Sequence, residues 1–210
     1  STGSSSDFSA RMLAQGLTEG LGRSAIVDNR PAGVTAGQAV VQSPPDGHTL
    51  LVNGGVFWLR PLLSSDVPYD PVKDFATVGA INRSYNVLVV TSSLPVKSVK
   101  ELVAYAKSKP GALNYSTGST GSSGHLALEL FKTMTGVEVT RIPYKSGATE
   151  MAALISGQAH VTLGIASLVL TQAKAGKLRA LAVSSLRPTP LAPGLPTVSE
   201  SGVPGFEMES

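Results

Sequence analysis

The sequence predicts an α/β fold in two halves with mostly parallel sheets. Two observations carry that prediction. Short apolar runs of strand length alternate with amphipathic segments of helical period, which implies parallel strands joined by right-handed helical crossovers. A loop of small residues that opens a helix also occurs twice. Gly3, Ser4, Ser5, Ser6 and Asp7 lead into Phe8-Ser9-Ala10-Arg11-Met12-Leu13. Ser116, Thr117, Gly118, Ser119, Thr120, Gly121, Ser122 and Ser123 lead through Gly124 and His125 into Leu126-Ala127-Leu128-Glu129-Leu130-Phe131. Glycine lets backbone approach a ligand closely, and the first N–H groups of a helix lack intrahelical partners and sit at the positive end of its dipole. Such loops bind anions, although turn and N-cap duty accounts for many Ser/Thr/Gly clusters. Two copies point to two halves facing one cleft.

Composition narrows the function classes. With 42% hydrophobic residues in 210, the chain has ample material for a core. Charged residues make up 15% and the net charge of +3 comes from scattered Lys and Arg, with few aromatics for base stacking, so no nucleic-acid partner is expected. No apolar run is long enough to span a bilayer, and no basic region followed by an apolar stretch opens the chain. The absence of cysteine excludes disulfides and thiolate metal sites and suits the bacterial periplasm among other compartments.

In chain order, the apolar stripe Phe8, Met12, Leu13, Leu17 and Leu21 predicts a first helix from Asp7 to Leu21, with Asp7 as its N-cap in preference to a ligand contact. Strands are expected at Ser24–Asp28 and at His48–Asn53, separated by a helix from Thr35 to Gln42 and by the turn Pro44-Pro45-Asp46-Gly47. Asn53-Gly54-Gly55-Val56-Phe57-Trp58 then reads as a glycine loop at a strand's carboxyl end, where open α/β sheets bind ligands, so Gly55, Val56, Phe57 and Trp58 join the candidate site. Packing and a pocket wall remain equal alternatives for Trp58.

A further strand is expected at Ala76–Ile81, and Asn86–Thr91 reads as a strand buried on both faces. Ser92-Ser93-Leu94-Pro95 marks a domain boundary, giving a first lobe over 1–91 and a second over 92–205. In the second, Ser98 caps a helix over Val99–Lys107 with Glu101 in its first turn. There follow strand Leu113–Tyr115, the second loop, helix Leu126–Met134, strand Val137–Ile142, helix Ala148–Ile155, strand His160–Ile165, helix Leu168–Ala175 and strand Leu178–Val183. The tail is rich in Pro and Gly and reads as connections, with 206–210 as the start of a crossover back to the first lobe.

Catalytic patterns are weak. No nucleophile-elbow pattern lies between a strand and a helix, and Ser122 with His125 is too local to stand as nucleophile and base. Three isolated histidines without carboxylates at ligand spacing make no metal site, His160 reads as structural, and His125 is open between capping and ligand contact. No phosphate-loop lysine follows the glycines and the dinucleotide fingerprint does not fit. Binding without catalysis, metal or cofactor is the expectation.

The order of several pieces over nearly the whole chain resembles the substrate-binding proteins of tripartite tricarboxylate transporters, the Bug family. They are Gly3-Ser4-Ser5-Ser6-Asp7 opening a helix with Ala10-Arg11, Val27-Asp28-Asn29-Arg30-Pro31, Pro45-Asp46-Gly47-His48-Thr49 and Tyr69-Asp70-Pro71-Val72-Lys73-Asp74-Phe75. Ser98-Val99-Lys100-Glu101-Leu102, Gly124-His125-Leu126-Ala127, Ile142-Pro143-Tyr144-Lys145 and Ala175-Gly176-Lys177-Leu178-Arg179 continue the match.

The resemblance implies a two-lobed periplasmic-binding-protein fold, here lacking the C-terminal segment that returns to the first lobe. It implies capture of a small organic acid between the lobes by the two loops, with Tyr144 and Lys145 near the second, and delivery to membrane permease subunits. A periplasmic monomer is expected. One departure bears on the ligand: the family usually carries an Asp-Asn pair after the strand Val161-Thr162-Leu163, where this chain has Gly164 and Ile165. In members that bind amino acids that Asp is a natural partner for the ammonium group, so its loss argues against an amino-acid ligand and toward an uncharged or purely acidic one. Presentation of the ligand to a sensor kinase is the alternative within binding proteins, and a serine-dependent hydrolase built on Ser122 or Ser123 with His125 is the enzyme alternative.

Overall fold

The computed structural model describes residues 5–30, 34–118 and 120–209 and divides into two compact units between Asn82 and Arg83. The first unit holds helices α1 (Ser5–Leu21), α2 (Thr35–Val41) and α3 (Val56–Leu63). Its packing centre is aromatic. Phe57 is buried, stacks on Tyr69 with ring centroids 5.5 Å apart and meets Phe75 edge-on at 4.8 Å. The strands expected at Ser24–Asp28, His48–Asn53 and Ala76–Ile81 do not form: among the described residues the first unit has no paired strand. An apolar run selects extended backbone, but a strand also needs a neighbour's N–H and C=O groups. Ile26 and Val78 are correspondingly exposed. The glycine loop read at Gly55–Trp58 is also a correction, because Gly55 is the N-cap residue of α3 and the helix runs through Pro61.

The second unit is built on one five-stranded sheet in the order β3-β2-β4-β1-β5. Its strands are β1 (Asn86–Thr91), β2 (Leu113–Thr117), β3 (Val139–Pro143), β4 (Val161–Ile165) and β5 (Leu178–Val183). The helices are α4 (Val99–Ser108), α5 (Ser123–Thr135), α6 (Gly147–Ser156) and α7 (Ala166–Lys174). β2 pairs in parallel with β3 and β4, whereas β1 is antiparallel to both β4 and β5. The expectation of mostly parallel strands therefore holds for direction, and β1 is the reversed member. It also falls on the far side of the expected boundary at Ser92, since its partners all belong to the second unit.

β1 explains how the sheet is covered. Leu88 and Val90 join the core formed with α4 and α5 on one face, and Val87 and Val89 join that formed with α6 and α7 on the other. All four are fully buried. A strand buried on both faces has no polar alternation to show, as its sequence anticipates. Ser98 Oγ accepts the Glu101 N–H at 3.2 Å while Glu101 Oε2 accepts the Lys97 N–H at 2.8 Å, so α4 starts where its cap predicts. The tail is not a loose connection. Val198, Val203 and Phe206 enter the core beside α4 and α5, Phe206 packs edge-on to Phe131 at 6.1 Å, and the Met208 N–H donates to the Ser184 carbonyl at 2.9 Å.

Candidate ligand-binding site

The carboxyl ends of β2, β3 and β4 lie along one edge of the sheet, with Thr117 opposite Pro143 and Tyr115 opposite Val161. That edge of an α/β sheet is where ligands bind. The loop Gly118–Gly121 leaves it and enters α5, whose N-cap is Ser122; the Ser122 Oγ accepts the His125 N–H at 3.4 Å. The cap leaves the remaining N–H groups of the first turn and the positive end of the helix dipole at the loop. Gly124 makes this position reachable, because a Cβ there would lie 2.6 Å from the Leu163 carbonyl oxygen. Only a residue without a side chain lets α5 start this close to β4.

The His125 ring turns back on the loop and its Nδ1 accepts the Gly121 N–H at 3.1 Å, which puts the proton of the neutral ring on Nε2. Burial, and then the nearby Arg141 charge, hold its pKa below the ordinary imidazole value. Ser122 is bonded to the main chain of His125, not to its imidazole, so the pair has capping geometry and not that of nucleophile and base. His160 is structural, as expected: its Nδ1 accepts the Asn114 N–H at 2.9 Å.

Two charged residues that sequence reasoning overlooked organise the rest. Arg141, on β3, donates from Nε to Thr117 Oγ1 at 2.9 Å, from Nη1 to Thr120 Oγ1 at 3.1 Å and from Nη2 to the Gly118 carbonyl at 3.2 Å. A lone arginine in a predicted strand was the available signal. Glu150, in the first turn of α6, reaches beneath β2: its Oε1 lies 3.2 Å from Ser116 Oγ and 3.0 Å from Thr162 Oγ1. Its helical spacing from the buried Ala153 and Leu154 marks the inward face. Burial raises the Glu150 pKa, and the two hydroxyls offset this only in part.

A glutamate with a raised folded-state pKa costs stability once the pH exceeds its unfolded value, because ionisation is easier in the unfolded chain. Glu150→Gln should therefore stabilise the second unit at pH 7 by about 1 kcal/mol, the scale of one imperfectly compensated buried polar group. The gain should vanish below the ordinary value of 4.5. Thermal melts of both proteins from pH 4 to pH 8 check this, and a gain that persists at the acid end would contradict it.

A second acidic cluster flanks α5. The Tyr115 hydroxyl hydrogen-bonds Glu129, and Lys132 Nζ bridges both Glu129 oxygens at 2.9 and 3.0 Å. Burial and then Glu129 push the Tyr115 hydroxyl pKa upward. Burial works to raise Glu129, but the bonds from Tyr115 and Lys132 outweigh it and hold the carboxyl below its ordinary value. Both charges of that pair are thereby occupied.

The other expected site residues divide. Ser116 is sealed from solvent and engaged with Glu150, so it supports the loop from beneath. Thr117 is likewise buried and ties Arg141 to the sheet. Tyr144 is half-buried, and its N–H donates to the Thr117 carbonyl at 2.8 Å. Gly164 is enclosed, since a Cβ there would lie 2.5 Å from Val169 Cγ1, while Ile165 stands exposed at the strand end. In the first unit, Asp7 is not the N-cap: α1 begins at Ser5, which makes Asp7 a first-turn acid. Its Oδ1 pairs with Arg11 Nε at 3.0 Å and accepts from Asn29 Nδ2 at 2.8 Å. Ser6 is half-buried beside it, Trp58 is exposed and Phe57 belongs to the aromatic core. Gly3, Ser4 and Ser119 lie outside the described residues.

The second unit is an α/β sheet whose loop edge has the form of a ligand site, and comparison with known proteins gives the family. The model of the tripartite tricarboxylate transporter family receptor matches residues 9–210, and the chain belongs to that family. Among curated relatives, protein BugT of Bordetella pertussis is 34% identical over 208 residues, covering 97% of this chain and 64% of BugT. The chain thus spans less than two thirds of that relative's length. Among solved structures, R. palustris Rpa4515 with adipate is 40% identical with a TM-score of 0.86, over 100% of this chain and 71% of that one. MatC from Rhodopseudomonas palustris with bound malate is 26% identical with a TM-score of 0.79, over 100% and 72%.

Proposed function

We propose that the chain is the ligand-capturing part of a periplasmic receptor that takes up a small organic acid and delivers it to the permease of a tripartite tricarboxylate-type transporter. The observation that carries this reading is the Thr117–Ser122 loop. It joins a helix N-terminus, hydroxyls and backbone donors to an arginine, at the carboxyl edge of a parallel pair of strands. Membership of the receptor family supports it, as do the adipate and malate named with two similar structures. A carboxylate is the group such a loop receives, through charge-assisted bonds stronger than those to neutral groups. The Ser122–His125 geometry supports binding over hydrolysis. Gly164, where the family usually carries an aspartate, offers no acid to an ammonium group and supports a ligand without one.

Thermal melting of the chain with adipate, malate, aspartate and glutamate tests the reading. An acid that binds only the folded state, at a hundredfold excess over its Kd, stabilises by about 2.7 kcal/mol, a rise of several degrees. The expected result is a rise with a dicarboxylate and none with the amino acids. No rise with any linear or hydroxy acid would sink the proposal.

A further inference from the structure

The geometry points to Arg141 as the residue that makes this loop choose an ionised carboxylate over its uncharged isostere; the inference rests on the receptor reading above. Its guanidinium carries five N–H donors. Three of them bond Thr117, Gly118 and Thr120 and so fix the loop's course from β2 toward α5. The acceptors are two hydroxyls and a carbonyl, none of which cancels a charge.

The ion pairs among the described residues are Arg11–Asp7, Arg30–Asp28, Lys73–Asp70, Arg83–Glu209 and Lys132–Glu129, and Arg141 enters none of them. Nor do the nearby carboxylates take up its charge. Glu129 is held by Tyr115 and Lys132, and Glu150 is turned beneath the sheet toward Ser116 and Thr162. His125 spends Nδ1 on Gly121 and leaves Nε2–H as a neutral donor.

A half-buried guanidinium without a counter-ion keeps part of its desolvation cost until an anion reaches it. One N–H remains on each of Nη1 and Nη2, and a planar guanidinium offers a carboxylate donors that lysine cannot reproduce. Arg141 thus has two parts to play, as a positioning residue for the loop and as its uncompensated charge.

Isothermal titration of the chain with adipate and with its diamide, adipamide, separates those parts. Wild type should bind the acid far more tightly than the amide. Arg141→Gln should weaken adipate by about tenfold or more while changing adipamide much less, so that the ratio of the two contracts. Loss of loop order alone would weaken both alike and keep the ratio. Arg141→Lys, which retains charge without the fork, should fall between wild type and the glutamine variant, and it carries the test if the latter does not fold. A wild-type ratio in Arg141→Gln, or a lysine variant indistinguishable from wild type, overturns the inference and leaves the receptor reading standing. Failure of wild type to bind adipate or malate overturns both.

Discussion

Phe206→Ala should cost the second unit about 3–5 kcal/mol, the range for truncating a fully buried phenylalanine. Its ring is fully buried and lies edge-on to Phe131, among residues of α4, α5 and the tail. The surroundings cannot close over the gap easily, because Val198 and Val203 beside it are fixed through backbone bonds to β5 and within their own turn. Denaturant unfolding followed by far-ultraviolet circular dichroism would measure the loss. A cost below about 1 kcal/mol would mean that the tail is only laid on the surface. The effect is large enough to consume much of the stability of a domain of ordinary size, so a folded variant should melt many degrees lower.

Gly124→Ala is the second large effect, and its sign runs against propensity. Alanine favours a helix over glycine by about 1 kcal/mol. At this position the added methyl would lie 2.6 Å from the Leu163 carbonyl oxygen, which is backbone in the middle of β4 and has no rotamer through which to yield. Overpacking of this kind costs about 1–3 kcal/mol, so a net destabilisation of up to about 2 kcal/mol is expected. The start of α5 should also shift off the sheet edge and carry Gly121 and Ser122 with it. Adipate affinity should then fall together with stability. A variant that melts as wild type and binds adipate equally well would show that the close approach of α5 to β4 is not needed.

Most of the second unit was legible in the sequence because its signals are local. Ser98 with Glu101 announces α4, the continuous apolar run from Val87 to Val90 announces a strand buried on both faces, and Leu178–Val183 is a strand end to end. What escaped depends on partners distant in sequence. The boundary was placed after β1 because nothing in Asn86–Thr91 reveals that its neighbours are β4 and β5. The first unit's expected strands failed for the same reason, since period and composition select extended backbone without supplying a ladder. α3 was hidden by Gly54-Gly55 before it and Pro61 within it, signals that the aromatic packing of Phe57 overrides.

The candidate site was half readable. The hydroxyl loop and the helix it enters could be seen in the order of residues. Arg141 and Glu150 could not be given roles, because Arg141 meets the loop only through the parallel pairing of β2 with β3, and Glu150 meets Ser116 only through the packing of α6 beneath the sheet.

The position of β1 also governs how the chain can acquire its structure during synthesis. Val87–Val90 emerges early, but both strands that flank it are made later, and Phe206, which completes one of the two cores, later still. At about 5–20 residues per second, the interval between Val90 and Phe206 is on the order of ten seconds. For the part of it before β4 and β5 are made, β1 has two unpaired edges, a state open to association with other chains. Its native pairings are long-range, and such contacts form slowly because the intervening loop must be closed first. A nascent chain of this kind depends on being kept apart from its neighbours until β4 and β5 have paired with β1.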